Sequence, residues 1–305
     1  MDSIGIAGAG RLGQALGRLL QDRGQPIAAI AGRNPERTGN AAAFICKDVL
    51  PVTYAELPSQ AGRILICVPD DALPSVVATL AESAQPVKIA IHTCGSRGPE
   101  ALAPLAAQGT ACATMHPLQT ITTPTQGIAD LPGSSFGITG SGGGGITGSG
   151  GGGITHIDKA AGWALEIVQL LNGHALAIAP ENRPLYHAAA VMASNYIVAM
   201  VDAAVILMGL AGVAPEPALE ALGPLVRASA ANSLRAGPVQ ALTGPIERGD
   251  ERTIAAHLHA LDNAPESVRQ LYRLAGLHTI EVARRKTPAI DRGRIESLFE
   301  EGTSS

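Results

Sequence analysis

The chain has 305 residues, a formal net charge of −4, 46% hydrophobic and 16% charged residues. That length suggests two domains, and the apolar content supplies a sizeable core and excludes a disordered chain. The mild acidity gives no pull on nucleic acid or anionic lipid, and three Phe, four Tyr and one Trp leave little for base stacking. The N-terminus opens on a strand-like run without the basic and long apolar regions of a signal peptide, so the expected location is cytoplasmic. Cys46, Cys67, Cys94 and Cys112 form no C-x-x-C pair and read as free thiols of a reducing compartment.

Ser3 to Ala7 predict a short buried strand, Leu12 to Arg23 a helix and Ile27 to Ala31 a second strand. Between the first two lies Gly8-Ala9-Gly10-Arg11-Leu12-Gly13, a G-x-G-x-x-G in the strand–turn–helix context of a dinucleotide site. Gly8 permits the turn, Gly10 admits a pyrophosphate to the backbone, and Gly13 allows close helix–sheet packing. The helix N-terminus offers unpaired N–H groups to phosphate. An NAD site usually carries Asp or Glu at the end of the second strand. Here that end reads Gly32-Arg33-Asn34-Pro35-Glu36-Arg37. Arg33 and Arg37 match a 2′-phosphate, which favours NADP(H); the plainer reading is two solvated loop arginines.

The alternation continues. Strands are expected at Arg63 to Pro69, Lys88 to Thr93, Ala111 to Met115 and Ser135 to Thr139. Strands alternating with helices imply a doubly wound parallel sheet. Ligands bind such sheets beyond the carboxyl ends of the strands. That rule sets Val68-Pro69-Asp70, Thr93-Cys94-Gly95-Ser96 and His116-Pro117-Leu118-Gln119 along one crevice. Residues 138–155 repeat Ile-Thr-Gly-Ser-Gly-Gly-Gly-Gly, which predicts a flexible surface loop. A helix is expected from Ile157 to Asn172.

From Pro180 the strands stop. Leu185 to Leu210 predicts one long apolar helix, long enough to raise a membrane span. His187, Asn195 and Asp202 argue instead for a buried central helix, with a homodimer interface as its expected setting. On a continuous helix His187, Ser194, Asn195 and Asp202 share one narrow arc. That stripe faces a substrate or forms an internal hydrogen-bond network. Further helices are expected at Glu216 to Ala236, Glu251 to Leu261 and Ala264 to Arg285. No metal site is expected: His257 and His259 point apart on their helix, and His92 and Cys94 lack partners.

GAGRLG (8–13), VPDDAL (68–73), HTCGS (92–96), HPLQT (116–120), LYHAAAVMASNY (185–196) and LTGPIERGD (242–250) together resemble Rossmann-like proteins with a C-terminal helical domain of uncharacterised function. The architecture is more distantly similar to ketopantoate reductase and pyrroline-5-carboxylate reductase. The resemblance implies an α/β fold: a Rossmann doubly wound parallel sheet over 1–180, then an all-α domain over 181–305 for substrate and dimerisation. It implies an NADP(H)-dependent oxidoreductase acting on a small carbonyl or imine in a cleft between the domains. Expected cofactor contacts are Gly8, Ala9, Gly10, Arg11, Leu12, Gly13, Arg33, Asn34, Arg37, Val68, Pro69 and Ser96. Expected catalytic residues are His116, His187 and Asn195, with a histidine tuned near neutrality as acid and Asp202 available to set its tautomer. His187 stands where the ketopantoate enzymes carry lysine. A non-catalytic NADP(H) sensor and a deazaflavin-linked reductase fit the same residues.

Overall fold

The structure is a computed structural model that describes residues 3–140 and 158–301. Most of the Gly/Ser repeat therefore lies outside the described residues. Eight strands form one sheet: β1 (Ile4–Ala7), β2 (Ile27–Ala31), β3 (Leu50–Val52), β4 (Arg63–Ile66), β5 (Ile89–His92), β6 (Ala111–Pro117), β7 (Ser135–Gly140) and β8 (His174–Ala177). Their order is β3-β2-β1-β4-β5-β6-β7-β8.

The central strands are short apolar runs because helices cover both faces. On one face Leu16, Leu20, Ile45, Trp163 and Ile167 join Ile6 and Ile30 in a single cluster. On the other, Val76, Val77, Leu80, Leu102 and Leu105 pack with Ile64 and Ile66. The two missed strands, β3 and β8, are the sheet edges. Leu50-Pro51-Val52 and His174-Ala175-Leu176-Ala177 are half-exposed and carry no apolar run to announce them.

The expected all-parallel sheet is corrected at one point. β1 to β6 pair in parallel, but β7 runs antiparallel to β6, with His116 opposite Gly137. The connection between them folds into the helix Pro124–Asp130. A Cβ on Gly127 would stand 2.7 Å from that of Ala15, near the start of the first helix, Arg11–Asp22. The connection is thus held at the carboxyl edge of the sheet, and the chain re-enters reversed.

Two compact units divide at Ser194/Asn195, rather than at the expected 180/181. The helix Arg183–Met192 belongs to the first unit because Arg183 is buried against β6 and β7. The expected single helix Leu185 to Leu210 is also corrected. It breaks at the turn Ala193–Ser194, and a separate helix runs Asn195–Leu210. The His187–Asn195–Asp202 stripe is therefore not continuous, and its last two members lie in the second unit.

The second unit is helical, with Pro215–Ala236, Glu251–Ala260, Glu266–Lys286 and Gly293–Glu300 as its other long elements. Ile254, Ile280, Ile295 and Phe299 form one small core, and Leu261, Ala264 and Val268 a second. The expectation of a buried central helix fails in this chain by itself. No residue of Asn195–Leu210 is buried, and Tyr196, Ile197, Val198 and Met200 are all exposed. The stretch Pro180–Leu210 has the length and mean hydropathy, 1.9, of a membrane span.

Candidate active site

The carboxyl ends of β1, β4, β5 and β6 open on a cleft lined by Gly10, Arg11, Leu12, Val68, Pro69, Asp70, Gly95, His116 and His187. Every lining residue belongs to the first unit. The glycines of the turn do different work. Gly8 has φ +122°, and a Cβ there would fall 2.3 Å from the Cys67 carbonyl oxygen. A Cβ on Gly13 would fall 2.1 Å from the Gly8 carbonyl oxygen. Both are therefore fixed by chain packing. A Cβ on Gly10 would meet nothing within 4 Å. Gly10 caps the first helix without a side-chain acceptor, so the first-turn N–H groups are open to an anion.

At the end of β2, Arg33 and Arg37 are exposed. Asn34 is committed elsewhere: its Oδ1 accepts from the Arg37 backbone N–H at 2.8 Å and caps the helix Pro35–Ile45. Val68 and Pro69 line the cleft, with Val68 buried. Ser96 is exposed, and its hydroxyl donates to the Asp70 carboxylate.

Two imidazoles converge across Gly95. A Cβ on Gly95 would lie 2.4 Å from His187 Nδ1 and 2.8 Å from His116 Nε2, so only glycine lets the rings approach there. The ring centroids are 5.8 Å apart at 72°. His116 Nδ1 shares a 2.9 Å hydrogen bond with the Tyr186 hydroxyl. His187 Nδ1 is buried and has no hydrogen-bond partner among the described residues. Asn195 and Asp202 are not among the residues lining the cleft.

The expected near-neutral titration does not hold for His116. Burial, reinforced by the His187 and Arg183 charges and only partly opposed by Asp70, pushes it down to about 4. His116 is a neutral ring at physiological pH. Asp70 is also lowered, which favours its charged form. Burial raises it, but hydrogen bonds from Ser96 and Cys94 and the charges of His187 and Arg97 hold its carboxyl below the usual range.

Sequence reasoning missed Arg183 and Tyr186. The Arg183 guanidinium is 1% exposed. It donates to Thr114 Oγ1 at 2.8 Å, Thr139 Oγ1 at 2.9 Å, and the Cys94 and Gly95 carbonyls at 3.0 and 3.1 Å. It thereby seats the helix that carries Tyr186 and His187. An arginine opening an apolar helix was the only available signal.

His92 is structural. Its Nδ1 accepts from the Cys94 backbone N–H at 3.2 Å and its Nε2 meets the Gly98 carbonyl at 2.9 Å. Burial pushes Cys67 up to about 12 and Cys112 up to about 11, and raises Cys94 as well, so these thiols are poor nucleophiles near neutral pH. Among the described residues no group of three or more His, Cys, Asp or Glu is placed to hold a metal.

His92 and His116 both sit near 4 when folded, against 6.5 for an ordinary imidazole. Between these values the unfolded chain binds protons that the native state refuses. Stability is therefore full above about pH 6.5 and falls as the pH drops toward 4, by about 3 kcal/mol for each histidine over that window. Urea denaturation at several pH values should show this slope, and His116→Phe should reduce it. A flat profile would contradict the buried neutral rings.

Residues 2–117, within the first unit, match a Rossmann-like domain. The domain of unknown function DUF2520 matches residues 153–279, so the chain combines a Rossmann-like domain with a DUF2520 domain. A proposed NADP oxidoreductase of Bacteroides fragilis has TM-score 0.71 at 23% identity, covering 92% of this chain and 98% of that one. A Thermotoga maritima protein has TM-score 0.68 at 20% identity, covering 93% and 99%. The reductive aminase of Aspergillus terreus, solved with NADPH and ethyl levulinate, has TM-score 0.64 at 18% identity, covering 99% of each chain. At these identities the likeness is one of fold. L-aspartate dehydrogenase 3 of Bordetella bronchiseptica is 31% identical over 87 residues, which is 28% of this chain and 32% of that protein.

Proposed function

We propose that this chain is an NADP(H)-dependent oxidoreductase that reduces a carbonyl or imine of a small polar metabolite. The observation that carries this reading is the shared cleft: the open Gly10 turn and the His116–His187 pair line the same space. The residues fit the cofactor. Gly10 leaves room for a pyrophosphate on the helix N-terminus, and Arg33 and Arg37 stand exposed where a 2′-phosphate would lie. Proteins of the same fold have been solved with NADPH and with NADP. When bound, the nicotinamide supplies or accepts a hydride. His116, oriented by Tyr186, and His187, whose Nδ1 has no partner among the described residues, hydrogen-bond and position the reacting group.

The test is a titration with NADPH and NADH. Wild type is expected to prefer NADPH, and Arg33→Ala to lose about tenfold or more in NADPH affinity with little change for NADH. His116→Ala should keep NADPH affinity and lower turnover. Failure to bind either nucleotide would end this reading.

The helix Asn195–Leu210 supports a homodimer as the working form. Asn195 and Asp202 apart, it is apolar on every side, and such helices are buried in stable proteins. A second copy suits it better than lipid. At 16 residues it is shorter than the roughly 20 a bilayer needs, and it carries Asp202. The preceding helix is tied to the sheet by Arg183. Sedimentation should show a dimer, and Val198→Asp should shift it toward monomer. A wild-type monomer at micromolar concentration would refute this.

A further inference from the structure

The reacting end of the cleft has an unusual charge inventory. Asp70 lines it where the chain leaves β4, its carboxylate held by the Ser96 hydroxyl. Arg183 lies behind the wall, but its terminal nitrogens are spent on two threonine hydroxyls and two carbonyls, and it is 1% exposed. Arg11, the arginine among the lining residues, opens the first helix beside the glycine turn, at the phosphate end. Arg97 acts on Asp70 from an exposed turn and is not among the lining residues. Beside His116 and His187, the described lining on the β4, β5 and β6 side thus presents a carboxylate and no lysine or arginine; the lining guanidinium, Arg11, belongs to the glycine turn. A keto acid would bring a second carboxylate beside Asp70, where the positive charges that reach this end, from His187 and Arg97, already act on Asp70, which is unfavourable in a partly desolvated cleft.

We propose that this end of the cleft takes a cationic nitrogen, an iminium ion in the reducing direction and its amine in the other, and that Asp70 is the residue that selects it. The inference rests on the reductase reading above and narrows its substrate. The chemistry balances with NADPH as the reductant. The iminium carbon accepts hydride, the C=N π pair moves onto nitrogen, and a neutral amine forms, which then takes a proton from solvent. No proton is transferred in the hydride step. A carbonyl would need one on its oxygen, and His116, held down to about 4, is not an imidazolium at neutral pH. The iminium arrives already charged and needs an anionic partner, which Asp70 provides.

The test is calorimetric binding of three ring compounds of similar size, pyrrolidine, cyclopentanone and cyclopentanecarboxylate, to the full chain with and without NADP⁺. Wild type is expected to bind pyrrolidine about tenfold or more tighter than the carboxylate. Asp70→Asn keeps an acceptor for Ser96 and should remove that preference, leaving cyclopentanone within about twofold. Equal or better binding of the carboxylate, no detectable binding of pyrrolidine at millimolar concentration, or equal loss of amine and ketone in Asp70→Asn would each overturn the proposal. NADPH titration of the same samples separates the two readings. Intact nucleotide binding without amine selection overturns the Asp70 assignment alone. Amine selection without nucleotide binding overturns the reductase reading.

Discussion

Gly10→Ala is expected to fold normally and to lose at least about tenfold in NADPH affinity. The three fingerprint glycines make this a clean separation. Gly10 has ordinary extended backbone, φ −83° and ψ −178°, and a Cβ there meets nothing of the chain within 4 Å. Its stability should stay within about 1 kcal/mol of wild type, because alanine is a poorer cap but costs less unfolded entropy. The added methyl instead occupies the approach of an anion to the first-turn N–H groups. Gly13→Ala behaves in the opposite way. Its methyl would sit 2.1 Å from the Gly8 carbonyl oxygen, so the helix must move off the sheet, at a cost of about 2–4 kcal/mol. Urea denaturation and NADPH titration on both variants decide the matter. Full NADPH affinity in Gly10→Ala would remove the glycine turn as the phosphate seat.

Arg183→Met is expected to cost about 3–5 kcal/mol of stability. The guanidinium is a buried charge compensated by neutral acceptors, and its fork joins the β5 exit, β6 and β7 to the helix Arg183–Met192. Methionine fills much of the volume but leaves the Cys94 and Gly95 carbonyls and the Thr114 hydroxyl without their donor. Arg183→Lys should fall between, because an ammonium cannot serve two carbonyls and two hydroxyls with a planar fork. Since the same helix carries Tyr186 and His187, turnover should fall further than NADPH affinity in whatever protein still folds. Denaturation midpoints near wild type for Arg183→Met would show that the network is not needed for the fold.

Much of the first unit was legible in the sequence because its signals are local. Ile4–Ala7, Ile27–Ala31, Arg63–Ile66 and Ile89–His92 are short apolar runs between turn residues. The glycine spacing reports a turn geometry that needs few long-range facts. The site was legible in outline by the same route, since strand ends mark the crevice, and His116 and His187 both line it. Asn195 was a different matter: its proposed place depended on helical phase across Ala193–Ser194, where the helix breaks.

What the sequence by itself determined about this protein is the strand–turn–helix opening, the doubly wound sheet and the helical second half, because each follows from periodicity or from residue types with narrow backbone tolerance. What only the tertiary structure decided is the reversal of β7, the edge strands, the Arg183 network, the use of Asn34 as a cap, and the neutrality of His116. Each depends on residues distant in the chain or on solvent exclusion. His116 is 67 residues before Arg183 and 70 before Tyr186, and a charge state set by burial is invisible until the groups that exclude water have been brought together.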